Sequence, residues 1–244
     1  MNIIIPMAGL GKRLSNLDYD SPKPLIEILG RMIVEWSIET IGLNGNFIFC
    51  CRDEHIKKFK LDQKLKGIVP NCTIVPINYN TEGTAQTILE ARKFIDNDEE
   101  LFISDSDHYM VWNSDSFEKE IRNQSFDACA LVLPDEQDSN RFSYVKVNEN
   151  GFLIEAAEKI PISKIAAAGM HYYKKGSDFV KYAKIMIDKN IRFNNEFYVT
   201  PVYNELILDG KKVTTFPVIK KWALGSPDEI KKFVEDKPFN QFRY

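Results

Sequence analysis

Asp105 and Asp107 stand one residue apart, with Ser106 between them, after the apolar run 99–104. Carboxylates this close repel each other unless a cation intervenes, and a hard divalent ion such as Mg2+ or Mn2+ is the natural partner. A surface acidic turn is the competing account of the same residues. His108 adjoins, but Mg2+ prefers oxygen donors, so no direct role is expected of it. The other two histidines, His55 and His171, read as structural. Near the start, the run Ile3-Ile4-Ile5 stops at Pro6 and gives way to Gly9 and Gly11, then Lys12 and Arg13. Glycines lack the Cβ that holds a ligand away, so loop N–H groups there can approach phosphate oxygens closely. Farther on, Pro22 and Pro24 bracket Lys23 and restrict its backbone, which suits a fixed positive charge. Each feature alone also fits an ordinary turn or a solvated lysine.

The elements between these residues decide whether they converge. Strands are expected over 46–51, 72–77 and 99–104, and helices over 31–43 and 53–65. A loop at 78–85, containing Glu82 and Gly83, enters a further helix that runs to 94. This alternation predicts an α/β fold, a Rossmann-like and mostly parallel sheet flanked by helices. Ligands of such sheets bind beyond the carboxyl ends of the strands, and the glycine loop, Glu82-Gly83 and Asp105–Asp107 all fall at that edge. The second half changes character, with strands over 127–133, 144–147, 151–157 and 166–173 and a helix over 177–189. Pro201 sits near the first turn of a helix ending at 208, and 213–218 is expected as the last strand. The final helix should open with Ser226 as N-cap, Pro227 at the first position and Glu229 closing a capping box.

Bulk composition narrows the partners. A net charge of −3 and a pI near 5.8 give no general attraction to DNA or RNA, so no nucleic-acid partner is expected. Cys50, Cys51, Cys72 and Cys129 show no metal-type spacing and fall in or beside apolar runs, which predicts buried thiols. No segment approaches the ~20 apolar residues that a membrane span requires. The N-terminal apolar run is too short for a signal peptide, and the expected location is cytoplasmic.

Four stretches in order, Pro6-Met-Ala-Gly-Leu-Gly-Lys-Arg-Leu14, Pro22-Lys-Pro-Leu-Ile-Glu-Ile28, Glu82-Gly-Thr-Ala85 and Ser104-Asp-Ser-Asp107, resemble the sugar-nucleotidyltransferase (NDP-sugar pyrophosphorylase) family. Glu158-Lys159, Ala168-Gly169, Asn195-Glu196 and Gly225-Ser-Pro-Asp-Glu229 extend the resemblance through the second half. It implies one nucleotidyltransferase domain over 1–244, with an NTP-binding core at 1–133 and a smaller α+β acceptor-binding portion at 134–244. By that resemblance, Ala8, Gly9 and Gly11 would wrap the nucleoside triphosphate. Arg13 would grip its β- and γ-phosphates, and Lys23 would bridge the α-phosphate and the incoming phosphate. Glu82, Gly83 and Thr84 would contact base and ribose. Lys159 would hold the acceptor's phosphate, with Gly169, Asn195 and Glu196 lining the acceptor pocket. Asp107 would bind the metal, Mg2+ or Mn2+.

One departure concerns that metal. Many members carry a second metal-binding aspartate before a Gly-Thr or Gly-Ser near the C-terminus, whereas Lys221-Trp-Ala-Leu-Gly-Ser226 has no carboxylate. Either Asp105 supplements the site, or Asp107, phosphates and water hold the ion. Within the family the chain most resembles cytidylyltransferases that use CTP and phosphoglutamine in capsular phosphoramidate synthesis. A sugar 1-phosphate acceptor with CTP, UTP or dTTP is the alternative. Asp105-Ser-Asp107 is also a D-x-D sequence, as in metal-dependent glycosyltransferases, although such an enzyme has no need of Arg13 and Lys23 around a triphosphate. A nucleotide-sensing subunit with a degenerate site would not be expected to keep both cations and Asp107.

Overall fold

The computed structural model describes residues 1–9, 21–123, 125–135 and 139–240. The first strand, β1 (Asn2–Met7), takes Ile3, Ile4 and Ile5 wholly out of solvent. Ile4 packs into one apolar cluster while Ile3 and Ile5 pack into another, so the strand is covered on both faces. At roughly 1.5–3 kcal/mol for each such side chain, this run suffices to fix β1 at the centre of a sheet. A 3-10 turn at Lys23–Leu25 follows, and then a short hairpin of β2 (Glu27–Ile28) with β3 (Arg31–Met32). Helix α1 (Ile33–Glu39) is therefore shorter than the stretch expected over 31–43, because Arg31 and Met32 are engaged in strand pairing.

Next come β4 (Asn46–Arg52), α2 (Asp53–Phe59), α3 (Leu61–Ile68) and β5 (Thr73–Ile77). The single helix expected over 53–65 is divided by Lys60, whose left-handed backbone (φ 52°) turns Leu61 and Leu65 into the core. Cys50 and Cys51 alternate between the two clusters, and all four cysteines are free and buried, as their apolar surroundings predicted. The helix expected to reach 94 is also interrupted, into α4 (Thr84–Leu89) and α5 (Arg92–Ile95), ahead of β6 (Leu101–Ser104). The chain continues through β7 (His108–Val111), α6 (Ser114–Asn123), β8 (Ala128–Pro134), β9 (Ser143–Val147), β10 (Leu153–Glu158) and β11 (Ile165–Tyr173). It closes with α7 (Gly176–Asp188), α8 (Val202–Leu208), β12 (Val213–Pro217), β13 (Lys220–Ala223) and α9 (Pro227–Asp236).

The main sheet runs β10-β9-β11-β6-β1-β4-β5, with β8 also paired to β11 and carrying β12. The strands β6, β1, β4 and β5 are mutually parallel, as the strand–helix alternation predicted. Antiparallel β11 joins this parallel block to the second half by pairing with β6 on one side and β8 on the other. Strand β12 is not the last, as the sequence suggested. It is followed by β13, which pairs antiparallel with β7 so that Lys221 faces Met110 and Ala223 faces His108. Trp222, Tyr109, Trp36 and Phe233 pack around this two-stranded unit in a third apolar cluster. Among the described residues no helix is long and apolar enough to cross a membrane.

The capping box expected at Ser226 does not form. Ser226 makes no side-chain capping bond, and the Glu229 carboxylate accepts instead from the Gly225 N–H (3.1 Å) while pairing with Arg141. Arg141, from the β8–β9 connection, and the Gly225 N–H, one residue before the cap, thus take up the Glu229 carboxylate.

Candidate active site

A cleft of about 1350 Å³ opens where the carboxyl ends of β1, β4 and β6 meet the second half of the chain. Ala8 and Gly9, Lys23, Gly83 and Thr84, and Asp105 and Asp107 all line it, so the described parts of the three stretches expected at this edge meet there. Lys159, Gly169 and Glu196 line it from the other side. Glu82 and Asn195 are not among its described lining residues; Glu82 is exposed and pairs with Arg192 at 2.9 Å. Gly11 and Arg13, with Lys12, lie outside the described residues.

Strand β1 ends at Met7, so Ala8 and Gly9 enter the cleft directly from the sheet's centre. Arg52, the last residue of β4, reaches the same edge and donates from Nη1 to Asn80 Oδ1 at 2.9 Å. Sequence reading passed over this cation, although its position at a parallel strand's carboxyl end was the available signal. Lys23 sits in its 3-10 turn behind Pro22, and its ammonium is paired with the Asp107 carboxylate. Burial would raise the Asp107 pKa, but the Lys23 ammonium beside it, with Lys221 adding to the effect, brings it down to about 2. Asp107 is therefore ionised throughout the neutral range.

Gly169 explains how Asp105 fits. It has φ 86° at an irregularity in β11, and its carbonyl accepts from the Asp105 N–H at 2.9 Å. A Cβ at this position would lie 2.2 Å from Asp105 Oδ2 and 3.4 Å from Lys221 Nζ. Only glycine leaves room for the carboxylate there. Lys221, arriving on β13, donates to the Ala168 carbonyl at 2.7 Å. A lysine thus reaches the aspartate pair from the same C-terminal stretch that lacks a carboxylate. Its signal in the sequence was faint, since a four-residue strand leaves little periodicity to read.

Asp105, Asp107 and His108 offer ligand atoms that all lie within 4.8 Å of one another. The His108 ring is fully buried, and neither nitrogen has a hydrogen-bond partner among the described residues. Burial first, then Lys221, pushes its pKa down to about 3, so the imidazole is neutral. Two carboxylates with a neutral imidazole alongside fit a divalent cation. His171 is likewise held neutral, with its pKa near 3 mainly through burial, and its Nδ1 lies 3.1 Å from the Tyr203 hydroxyl.

The other side of the cleft is built from polar side chains. Lys159 has φ 54°, and its ammonium donates to the Tyr198 hydroxyl at 3.0 Å; that hydroxyl in turn donates to Glu196 at 2.8 Å. Glu158 is buried, and burial raises its pKa to about 7 despite a hydrogen bond from the Ser143 hydroxyl. Asn194 (φ 48°) and Asn195 (φ 63°) form a tight turn closed by reciprocal 3.0 Å bonds between Phe193 and Glu196. Asn195 therefore serves the turn, and its neighbour Asn194 is the one that lines the cleft.

Gly83 locks the two sides together. The Phe197 N–H donates to the Glu82 carbonyl at 2.7 Å, and the Ala85 N–H donates to the Phe197 carbonyl at 3.0 Å. A Cβ on Gly83, which has φ 127°, would come within 2.3 Å of the Phe197 nitrogen. The glycine's evident structural task is this close backbone approach, which sequence reasoning did not anticipate.

The structure is a mostly parallel α/β sheet flanked by helices, with a cleft at its strand ends bordered by lysines and paired aspartates, the edge where such sheets bind ligands. A family model described as nucleotidyl transferase matches residues 2–235, and the chain belongs to that family. The bifunctional protein GlmU of Methanocaldococcus jannaschii is 26% identical over 248 residues, covering 97% of this chain and 55% of that protein. The chain thus spans about half the length of that curated relative, and the alignment to GlmU of Methanococcus maripaludis covers 36% of that one. Among solved structures, a nucleoside-diphosphate-sugar pyrophosphorylase from Vibrio cholerae superposes with a TM-score of 0.80 at 22% identity. That match covers 96% of this chain and 99% of the other. The inositol-1-phosphate CTP transferase of T. maritima superposes with a TM-score of 0.77 at 17% identity, covering 100% and 98%. At these identities the two superpositions establish the shared fold.

Proposed function

We propose that this chain transfers a nucleotidyl group from a nucleoside triphosphate, CTP in the first instance, to a phosphorylated acceptor, with L-glutamine phosphate the favoured one. An acceptor phosphate oxygen attacks the α-phosphorus, the bond to the bridging oxygen of the leaving group breaks, and pyrophosphate departs. No covalent enzyme intermediate is required, so positioning and charge neutralisation carry the rate. The observation that supports this most is the junction of Lys23, Asp105 and Asp107 with the Ala8–Gly9 loop on one cleft. In this reading Ala8, Gly9 and Gly11 cradle the triphosphate and Arg13 grips the leaving phosphates. Gly83 and Thr84 face base and ribose, and Glu82 joins them by leaving Arg192. Lys23 leaves Asp107 for the α-phosphate and stabilises the negative charge that grows on its equatorial oxygens. Asp105 and Asp107 hold Mg2+ or Mn2+, which when bound neutralises charge on the phosphate oxygens.

Lys159, Gly169 and Glu196 belong to the acceptor, with Asn195 acting through the turn that carries Glu196, in a division of labour between 1–133 and 134–244. That end of the cleft carries both signs of charge, Lys159 and Arg141 beside Glu196 and Glu229, which suits an acceptor bearing an ammonium and a carboxylate. The second reading, a sugar 1-phosphate acceptor with CTP, UTP or dTTP, draws support from the sugar-pyrophosphorylase neighbour and is comparably founded. A matrix of CTP, UTP, dTTP, ATP and GTP against phosphoglutamine and several sugar 1-phosphates, read as pyrophosphate release, decides between them. The expected maximum is CTP with phosphoglutamine. A maximum with any sugar phosphate replaces it with the second reading, and glycosyl transfer without pyrophosphate would restore the D-x-D alternative.

A further inference from the structure

The aspartate pair lacks a third protein donor from the C-terminal stretch, because β13 delivers Lys221 there and its ammonium is bonded to the Ala168 carbonyl. Beside the pair stands a fully buried imidazole with neither nitrogen partnered among the described residues. Leaving both a donor and an acceptor unmet in a dry interior is costly, and native structures rarely tolerate it without a purpose. The His55 ring also has an unpartnered nitrogen, yet Asp105, Asp107 and His108 form the one group of possible metal donors found among the described residues. The backbone of His108 is held in place as well. Its N–H donates to the Ser37 hydroxyl at 3.0 Å, which donates back to its carbonyl at 2.9 Å, while the Leu224 N–H fastens the Asp107 carbonyl at 2.7 Å.

We propose that His108 is a third protein ligand of the divalent cation, its imidazole nitrogen joining Asp105 and Asp107, and that the site consequently favours Mn2+ over Mg2+. A nitrogen donor is poorly suited to Mg2+ and better tolerated by the transition ion. The inference rests on the metal-binding part of the proposed function and is silent on which acceptor is used.

The test is pulsed electron paramagnetic resonance of Mn2+ bound to protein carrying 15N-labelled histidine, with and without unlabelled CTP. Direct 15N hyperfine coupling is expected in at least one of these states, and it should vanish in His108→Asn. Titrations of the same variant with Mn2+ and Mg2+ should show the preference for Mn2+ falling on the order of tenfold. If His108→Asn does not fold, retention of the coupling in His55→Gln and in His171→Asn assigns it to the remaining histidine. Bound Mn2+ without 15N coupling, coupling that survives in a folded His108→Asn, or no Mn2+ uptake in either state overturns the proposal. Pyrophosphate release, scored separately, reports on the reaction and not on this ligand.

Discussion

Lys23, Asp105 and Asp107 stand on main chain that is fixed from several directions, whereas Lys159, Tyr198 and Glu196 hold one another by their side chains. On the first side Pro22 and Pro24 confine Lys23, the Gly169 carbonyl holds the Asp105 N–H, and the Leu224 N–H holds the Asp107 carbonyl. On the second, the corners at Lys159, Asn194 and Asn195 are left-handed, and a chain of hydrogen bonds through the Tyr198 hydroxyl links the charges. A rigid side suits chemistry, which requires charges placed before the reaction starts. A side built from exchangeable polar contacts suits an acceptor that must be recognised and released. Losing a side chain from the first should therefore cost turnover, and losing one from the second should cost affinity.

The largest effect expected is at Lys23 and Asp107. Lys23→Ala and Asp107→Ala should each lower pyrophosphate release by roughly 10²–10³-fold or more, with circular dichroism showing a folded protein. Each single variant leaves its partner's charge unpaired, so the double variant should be at least as thermally stable as either. Near-wild-type release by either single variant would remove the functional contrast between the two sides.

Gly83→Ala attacks the seam between them. A Cβ so close to the Phe197 backbone forces the strand-end loop and the Asn194–Asn195 turn apart. The expected cost is about 2–4 kcal/mol of stability, with KM rising for nucleotide and acceptor together. A rise confined to one substrate would show that the two sides are positioned independently.

The contrast also explains how much was legible in the chain. The parallel core was readable because Ile3–Ile5, the run containing Cys50 and Cys51, and the run before Asp105 are continuous apolar stretches, and such strands must be buried on both faces. The first side of the cleft followed, since glycines and paired carboxylates at strand ends are local signals. The second side depends on long-range pairing. Nothing near Lys221 announces that it will face Met110, and Gly169 declares its purpose only once Asp105 is beside it. The Asn194–Asn195 turn was a missed local signal, because consecutive asparagines suit two left-handed residues.

Glu158 gives a pH-dependent test of the second side. Its pKa is raised from 4.5 to about 7, chiefly by burial, so the folded protein binds this proton more tightly than the unfolded chain. Stability from this group is fully present below about pH 4.5 and is lost as pH rises through 7. The shift corresponds to about 3 kcal/mol at most. Glu158→Gln stays neutral at every pH, so its Tm relative to wild type should climb between these limits, as measured by calorimetry. A pH-independent difference would place the Glu158 carboxylate in a more solvated setting than the Ser143 contact implies.

The smallest effect expected is at Tyr198, and it divides the two sides most cleanly. Its hydroxyl accepts from Lys159 and donates to Glu196, so Tyr198→Phe removes one bond from each charge while keeping the ring beneath the lysine, 4.9 Å from its ammonium. Neutral hydrogen bonds contribute about 0.5–1.5 kcal/mol, and those to charged groups somewhat more, so a rise of roughly 3–10-fold in acceptor KM is expected. Nucleotide KM should move less, because the two bonds lost belong to Lys159 and Glu196 on the acceptor side. The turnover number should stay within about twofold, since bonds that hold the acceptor equally in the ground and transition states change KM and not turnover. A fall in turnover at unchanged acceptor KM would mean that Lys159 acts on the transition state, and the rigid and adaptable sides would then share the chemistry.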